Sequence, residues 1–592
     1  MALSATQIAD QKKQVEELLG AVDKLGFAKS LFFGKIRADL MFPYPTLPPD
    51  QRAIADVAAA KVRAFADAHI DAAAIDRESR IPDSVIDGLA QLDVYRMTLP
   101  TEFGGLGFNQ QQYLKVMEIL GGHCASTAVF VNAHHSIGCR ALVLFGTKEQ
   151  QAKWLPGLLD GSKLCAFALT EPEAGSDAGN VQTTATPTDD GTAYVLNGTK
   201  HYITNGGIAH VLTVMARTPD GKGGSKVSAF LVTPDLLGFE VLEARAAKCG
   251  IRGTATGKIR FTNMRVPKEN VLGPLGRGLQ EALTVLNFGR TTFGATCTGH
   301  AKVCLNAMSK HAKSRKQFQQ TLSEFELVKK KIAFAAAHAF AMEATTAQCA
   351  ALIDRGADDY MLETAILKVF ATEHLWTIVN DTLQVYGGKG YFCDQPVERW
   401  MRDARINTIG EGANDVLKAF IAVVGCRAPG EYLKNLRDDL THGRWSLGKI
   451  GAAIGVGTKL VLPWASTPTV PVRAKELEAD AKRLAHWVKD FGLELPHVFL
   501  RLKDEETFVQ SQLIHERIAD ITVDLYVASC VLSRLDYLIA NPSDDRFAAI
   551  ASGRYFLKIA FRRIATQFAA LRDHDDAACV AAADAFLRNS FS

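Results

Sequence analysis

The chain has 592 residues, 47% of them hydrophobic and 22% charged, and a formal net charge of +3. That length is too great for one ordinary core, so three or four packed units are expected, and the composition excludes a disordered or membrane-spanning chain. A charge this close to neutral offers no strongly basic face, which excludes a typical nucleic-acid binder.

The N-terminal MALSATQIADQKKQVEELLG has no continuous apolar run and carries Asp10, Glu16 and Glu17 but no arginine. Neither a secretory signal nor a transit peptide is therefore expected, and the location read from the sequence is cytoplasmic. No stretch reaches the roughly 18 uncharged apolar residues of a spanning helix. The 11 cysteines form no C-x-x-C pair and no metal-ligand spacing. They read as reduced, mostly buried thiols with no metal. His123, His134 and His135 read as satisfied core or core-edge side chains.

Residues 1–50 read as an N-terminal arm ending in the proline-broken loop Met41-Phe-Pro-Tyr-Pro45. From 51 to 165 the pattern is helical, with an amphipathic segment Ile75–Leu92 and a helix Gln111–Leu120 stopping at Gly121-Gly122. From 166 to 277 the period changes to two. Tyr194–Leu196, Val211–Ala216, Ser228–Thr233 and Gly257–Thr262 read as strands, with turns at Asp190-Gly191, Asn197-Gly198 and Asp220-Gly221, so an antiparallel β unit is expected. From 278 to 428 helices return at Leu279–Ser314, Glu324–Arg355, Asp358–Tyr386 and Ala413–Val424. The remainder, 429–592, reads as a basic linker and a helical extension. The fold class is α+β, with helices, then antiparallel strands, then helices.

Three segments could carry chemistry. In Phe167-Ala-Leu-Thr-Glu-Pro-Glu-Ala-Gly-Ser-Asp177, Gly175 permits close backbone approach while Thr170 and Ser176 offer hydroxyls. Composition alone reads it more readily as a Gly/Pro turn between domains. In Asn197–Gly207, Tyr202 could pack on an aromatic cofactor and Thr204 donate to it, or the segment could be a plain hairpin. In Ile409-Gly-Glu-Gly-Ala-Asn-Asp415, Glu411 lies between glycines, an awkward place for a stability residue but also a common one for a solvated turn glutamate. Arg315-Lys-Gln-Phe318 at a helix end is weak evidence by itself. No G-x-G-x-x-G after a strand and no Walker loop is present.

Taken in order, these segments resemble the acyl-CoA dehydrogenase family. Met41–Pro45, Leu144-Phe-Gly-Thr-Lys148, Arg265–Gly273, Val397-Glu-Arg399 and the long C-terminal extension resemble its very-long-chain branch. The resemblance implies FAD at the junction of a helical, a β and a helical domain. It implies that Phe167, Leu169, Thr170, Gly175 and Ser176 line the flavin and that Tyr202, Ile203 and Thr204 cover its other side. Arg315, Gln317 and Phe318, with Gln384, Val385, Gly387 and Gly388, would come from a homodimer partner to hold the adenosine diphosphate portion, and Ala413 and Asp415 belong to the same cofactor set. Ser176, Asn287, Phe288, Arg290, Gly410 and Gly412 are the implied substrate contacts.

Glu411 is the implied base. It removes the α-proton of a long-chain acyl-CoA while hydride leaves for the flavin, giving a trans-2-enoyl-CoA, with electrons then passed to electron-transfer flavoprotein. Its backbone N–H is expected to help bind the thioester oxygen, and burial against the acyl chain to raise its pKa. Isovaleryl-type members carry their base at the position of Gly289, which has no side chain, so Glu411 is the one candidate. Three departures stand out: Gly410 replaces an aromatic residue, Ala413 a threonine and Tyr202 a tryptophan. The alternatives are an oxygen-using acyl-CoA oxidase and a non-catalytic scaffold member. The basic stretch 440–475, with Trp445 and Trp464, suits either peripheral membrane contact or a surface loop.

Overall fold

The computed structural model describes residues 25–441, 467–502, 504–543 and 546–589. Residues 1–24 of the expected N-terminal arm and residues 442–466 of the basic stretch, with Trp445 and Trp464, lie outside the described residues. By internal packing the chain divides into two compact units.

The first unit includes residues 46–356 and 367–413. Its N-terminal helices start where the sequence offers caps. Pro49–His69 opens on a proline, and Gln110–His123 opens on a reciprocal Asn109/Gln112 capping box. Their apolar faces meet over Leu89, Tyr95, Tyr113, Met117, Leu120 and Phe130. The amphipathic helix expected over 75–92 is two helices, Ala72–Glu78 and Asp83–Gln91, because Pro82 takes extended backbone between them. Gly121-Gly122 does not stop its helix either. A Cβ on Gly121 would lie 2.4 Å from Thr296 Cα, and one on Gly299 would lie 1.8 Å from Glu118 O. These glycines let two helices cross at backbone contact. Ala125–Phe145 is long and apolar enough to cross a membrane by length and composition, contrary to expectation, but 78% of its apolar window is buried inside this unit.

Eight strands follow: β1 Cys165–Ala168, β2 Thr184–Pro187, β3 Ala193–Ile203, β4 Val211–Pro219, β5 Ser225–Val232, β6 Phe239–Glu243, β7 Gly257–Pro267 and β8 Val271–Leu272. They form one sheet in the order β6-β7-β3-β2-β4-β5-β8, with β1 beside β4. The sheet is mixed, since β1 and β2 both run parallel to β4. The hairpin at Asp220-Gly221 forms as expected, joining β4 to β5. Asn197-Gly198 is not a turn. It sits inside β3 at a register shift against β7, where a Gly198 Cβ would meet Thr183 Oγ1 at 2.3 Å.

Beyond the sheet come Gly278–Ser314, Glu326–Asp354, Met361–Tyr386 and Val397–Arg405. Alanines 335, 337, 339 and 341 are buried on the second of these, giving the close helix contacts expected of an alanine-rich face. Arg402 pairs with Asp76 at 2.7 Å and Glu398 at 2.8 Å, while Asp403 accepts from Ile251 N–H at 2.6 Å. The helix Val397–Arg405 is thereby tied to the helix Ala72–Glu78 and to the loop before β7.

The second unit contains the helices Asn414–Thr441, Glu478–Leu502, Gln512–Ala540 and Arg546–Arg572. Leu484, Phe491, Tyr526, Leu532 and Phe561 are in its core. Buried Asp524 is paired with Arg563.

Candidate active site

Glu411 follows a short 3₁₀ turn, Ile406–Thr408, and takes a left-handed conformation at φ 57°, with Gly412 at φ 100°. A glutamate in that region is strained by roughly 1–3 kcal/mol and persists only where its surroundings impose it. Two bonds do so. Gly410 N–H donates to Ile406 O at 2.8 Å, and Lys368 Nζ donates to Gly412 O at 2.6 Å. Lys368 itself is buried and pushed down to about 8 by that burial. The Glu411 N–H makes no hydrogen bond among the described residues, so the donor expected to meet the thioester oxygen is free.

The strained turn sends the side chain inward. Asn132 Nδ2 donates to Glu411 Oε1 at 2.8 Å, whereas Oε2 is buried with no hydrogen-bond partner among the described residues. Burial pushes the Glu411 carboxyl up to about 7, against the pull of Arg290, Lys368 and the Asn132 donor. A base that is half ionised near neutral pH is matched to abstracting a proton. Arg290 is buried on the Gly278–Ser314 helix beside Asn287 and Phe288. Its Nη1 donates to Asn287 Oδ1 at 3.4 Å.

Gly289 has a role the sequence reading did not give it. A Cβ there would lie 2.6 Å from Glu411 Oε2 and 3.1 Å from Ile137 Cδ1. The absent side chain is the space that the carboxylate occupies. Gly289→Ala should fold, because the obstructed atom is the end of a flexible side chain, yet it should lower kcat by about 10- to 100-fold by moving the base. Unchanged turnover with normal FAD content would remove this role.

The flavin segment is set on β1 and β3. Phe167, Leu169 and Thr170 are half-buried, while Gly175 and Ser176 are exposed, and a Cβ on Gly175 would meet nothing within 4 Å. His201 N–H donates to Thr170 O at 2.9 Å. Beneath lies a buried ion pair that the sequence reading missed, Lys200 Nζ to Glu171 Oε1 at 2.7 Å. The lysine also donates to Leu169 O at 3.0 Å, and Thr183 donates to Glu171 through N–H and hydroxyl. Both residues sat inside the motifs that were read, but 29 residues apart, and only the β1–β3 arrangement joins them.

Tyr202 is 65% exposed at φ 59°, its ring stacked on His201 with centroids 3.8 Å apart. Thr204 is half-buried, and Ile203 is in the core. An aromatic face, hydroxyls and an open glycine cradle fit a large planar cofactor.

A second expected group is at the far ends of two helices. The Lys316–Gln317/Gln320–Thr321 hairpin turns on Phe318 and Gln319, both at positive φ, and leaves Phe318 87% exposed. Arg315, Gln317, Gln384, Gly387 and Gly388 are also exposed, and Cβ atoms on the two glycines would meet nothing. Stacking of His311 on Tyr386 at 4.2 Å holds the two ends together. Val385 is the exception, since its side chain is buried, leaving only its backbone to offer. Ala413 is half-buried beside the base, and Asp415 is exposed in the second unit.

The fold also gathers His134, Cys139 and Cys165, whose ligand atoms lie within 4.8 Å of one another, a cluster that spacing in the sequence did not suggest. Both ring nitrogens of His134 are engaged, Nε2 with Leu158 O at 3.0 Å and Nδ1 with Cys165 N–H at 3.2 Å. The trio therefore reads as packing.

Comparison with known proteins shows the family of the chain. Family models for the acyl-CoA dehydrogenase N-terminal, middle and C-terminal domains match residues 49–162, 166–264 and 276–425. The mouse mitochondrial very long-chain specific acyl-CoA dehydrogenase is 34% identical over 523 residues, covering 86% of this chain and 78% of its own. A Bacillus anthracis acyl-CoA dehydrogenase solved with FAD matches with TM-score 0.74 and 26% identity, over 93% of this chain and 94% of its own. A structure described as an electron transferring flavoprotein of Acidaminococcus fermentans matches with TM-score 0.59 and 33% identity, over 65% of this chain and 98% of its own. With a buried carboxylate on a strained turn and an open cradle on the β domain, the chain belongs to the acyl-CoA dehydrogenase family of FAD-dependent oxidoreductases.

Proposed function

We propose that this protein oxidises long-chain fatty acyl-CoA to trans-2-enoyl-CoA and passes the electrons to electron-transfer flavoprotein. The observation that carries the chemistry is the Glu411 carboxylate, desolvated, held by Asn132 and resting over Gly289. Long-chain preference is supported by the identity to the very-long-chain enzymes and by Gly410, whose missing side chain leaves room beside the base. The acceptor is supported by the likeness to the Acidaminococcus structure.

In this reading Thr170, Ser176, Tyr202 and Thr204 hold the FAD, which supplies a hydride acceptor. The exposed group at Arg315, Gln317, Phe318, Gln384, Gly387 and Gly388 serves the second subunit of a homodimer. Glu411 takes the α-proton on its Oε2 side, the oxygen left without a donor. Its N–H and the dipoles around it stabilise the negative charge that develops on the thioester oxygen, at about 3 kcal/mol per well-placed donor. Arg290 and Lys368 keep a fraction of the base ionised despite its burial. The protein is expected to be cytoplasmic, with 440–475 as its contact to an anionic membrane, testable by deleting 442–470 and measuring liposome co-sedimentation.

The deciding measurement is an anaerobic titration of the yellow protein with butyryl- to stearoyl-CoA. Bleaching strongest with C14–C18 substrates, followed by recolouring with electron-transfer flavoprotein, is expected. Peroxide formed as fast as enoyl-CoA in air would instead identify an oxidase, and no bleaching with any substrate would end the enzymatic reading.

A further inference from the structure

The helix Ala125–Phe145 is apolar and mostly buried, yet it carries a carboxamide that hydrogen-bonds Glu411. Asn132 is 2% exposed and opens a π-helical turn, Asn132–Cys139, set between the α-helical segments Ala125–Val131 and Arg140–Phe145. A π turn inserts one residue into the helical ladder and rotates the side chains around it, and such turns collect at functional sites. Here the turn starts at the residue whose amide reaches Glu411.

One feature, the target of its donor, separates this asparagine from one that serves packing. Its Nδ2 donates 2.8 Å to the carboxylate, whereas its Oδ1 is buried and bonds to nothing among the described residues. Buried Asn205 also leaves its Oδ1 without a partner among the described residues, but it spends its Nδ2 on a backbone carbonyl, Phe130 O at 3.1 Å. Asn132 spends its donor on the base. The segment also gives the base its apolar surroundings, because Ile137, one turn along, packs where a Gly289 side chain would stand.

We propose that Asn132 is a positioning residue for Glu411: its amide N–H holds one carboxylate oxygen so that the other faces the α-carbon in ionised form. The inference rests on Glu411 being the base. The groups facing that carboxylate are Arg290 from the Gly278–Ser314 helix, Lys368 from the Met361–Tyr386 helix, and Asn132. The two cations act at longer range; Asn132 supplies the direct bond. An N–H donor favours the charged carboxylate, so removing it raises the pH at which the base ionises.

The test compares wild-type holoenzyme with Asn132→Ala and Asn132→Asp, measuring kcat and KM for a long-chain acyl-CoA from pH 5.5 to 9.5 together with flavin content. Asn132→Ala should keep KM within about twofold and lower kcat at high pH by about tenfold. It should also move the acid limb of the kcat profile up by about one pH unit. Asn132→Asp preserves volume and places a second carboxylate against the first, so its acid limb should move up further, with normal flavin content. An acid limb that stays in place in both variants, or a loss confined to KM, would overturn the proposal. A base elsewhere gives a different result, since Glu411→Gln would then still bleach the flavin.

Discussion

Replacing Glu411 by glutamine should lower kcat by about 10³- to 10⁴-fold while leaving FAD bound and the protein yellow. The amide has the volume and shape of the carboxylate, so it can keep the left-handed turn and the space over Gly289, but it cannot take a proton. A loss of stability would not accompany the loss of turnover. Burial raises the Glu411 carboxyl from 4.5 to about 7. Between those values the folded chain binds more protons at this residue than the unfolded chain, so stability falls as pH rises from 4.5 towards 7. Above 7 the full cost is present, and the shift corresponds to about 3 kcal/mol. The cofactor-free glutamine variant should therefore resist urea better than the cofactor-free parent at pH 8, and should lose that advantage at pH 4.5. A variant that is inactive and also less stable at pH 8 would mean that Glu411 holds the loop together and that its inactivity says little about proton transfer.

Glu411 stands out in the sequence as a glutamate between glycines, a pattern that suits a solvated turn as well as a site, and only the resemblance to the family marks it as the expected base. The expected flavin segments show hydroxyls, a tyrosine and glycines in short runs, but taken singly these read as turns or hairpins, and only their order along the chain points to a cofactor. The partners of the base were not legible in the sequence. Asn132 is 279 residues from Glu411 and sits in an apolar helix, where nothing local marks an asparagine as functional. Gly289 drew attention only as a missing base, and its steric role depends on a helix packed against a loop 122 residues away. Fold-level misreadings share one cause. Gly121-Gly122 and Asn197-Gly198 look like punctuation locally, but in the folded chain Gly121 answers a close approach from Thr296 and Gly198 one from Thr183. A local rule treats glycine as freedom of the backbone, while the tertiary structure can use it as absence of a side chain.

Lys200→Met should destabilise the β domain by about 3–5 kcal/mol and release FAD, because it leaves Glu171 buried without its cation. The pair is almost wholly inaccessible, with side-chain exposures of 0% and 3%. Burial pushes Lys200 down to about 8, whereas Glu171 is held below the ordinary carboxylate range. Burial alone would push Glu171 up; it is outweighed by Lys200, Thr183 and the Gln182 N–H. The two shifts point opposite ways about what the pair gains, and the donor count decides for ionisation: Glu171 has several donors besides Lys200, so it stays charged at neutral pH. Stabilisation of this kind is present above the ordinary carboxylate pKa and fades as pH falls through the lowered one, so the difference between parent and variant should shrink in acid. The site consequence follows from position. Lys200 also holds Leu169 O, and His201 holds Thr170 O, so the lysine fixes the strand end that carries the Thr170 hydroxyl proposed to face the flavin. Measured by chemical unfolding at pH 7.5 and by flavin retention on gel filtration, Lys200→Met should fail both tests. Glu171→Leu combined with Lys200→Met should recover most of the stability, because no charge is left stranded, while recovering less of the FAD, because the bond to Leu169 O is still gone. A single Lys200→Met variant as stable as its parent would mean that water or a neighbouring donor reaches Glu171, and the pair would then be a passive feature of the sheet with no part in setting the flavin segment.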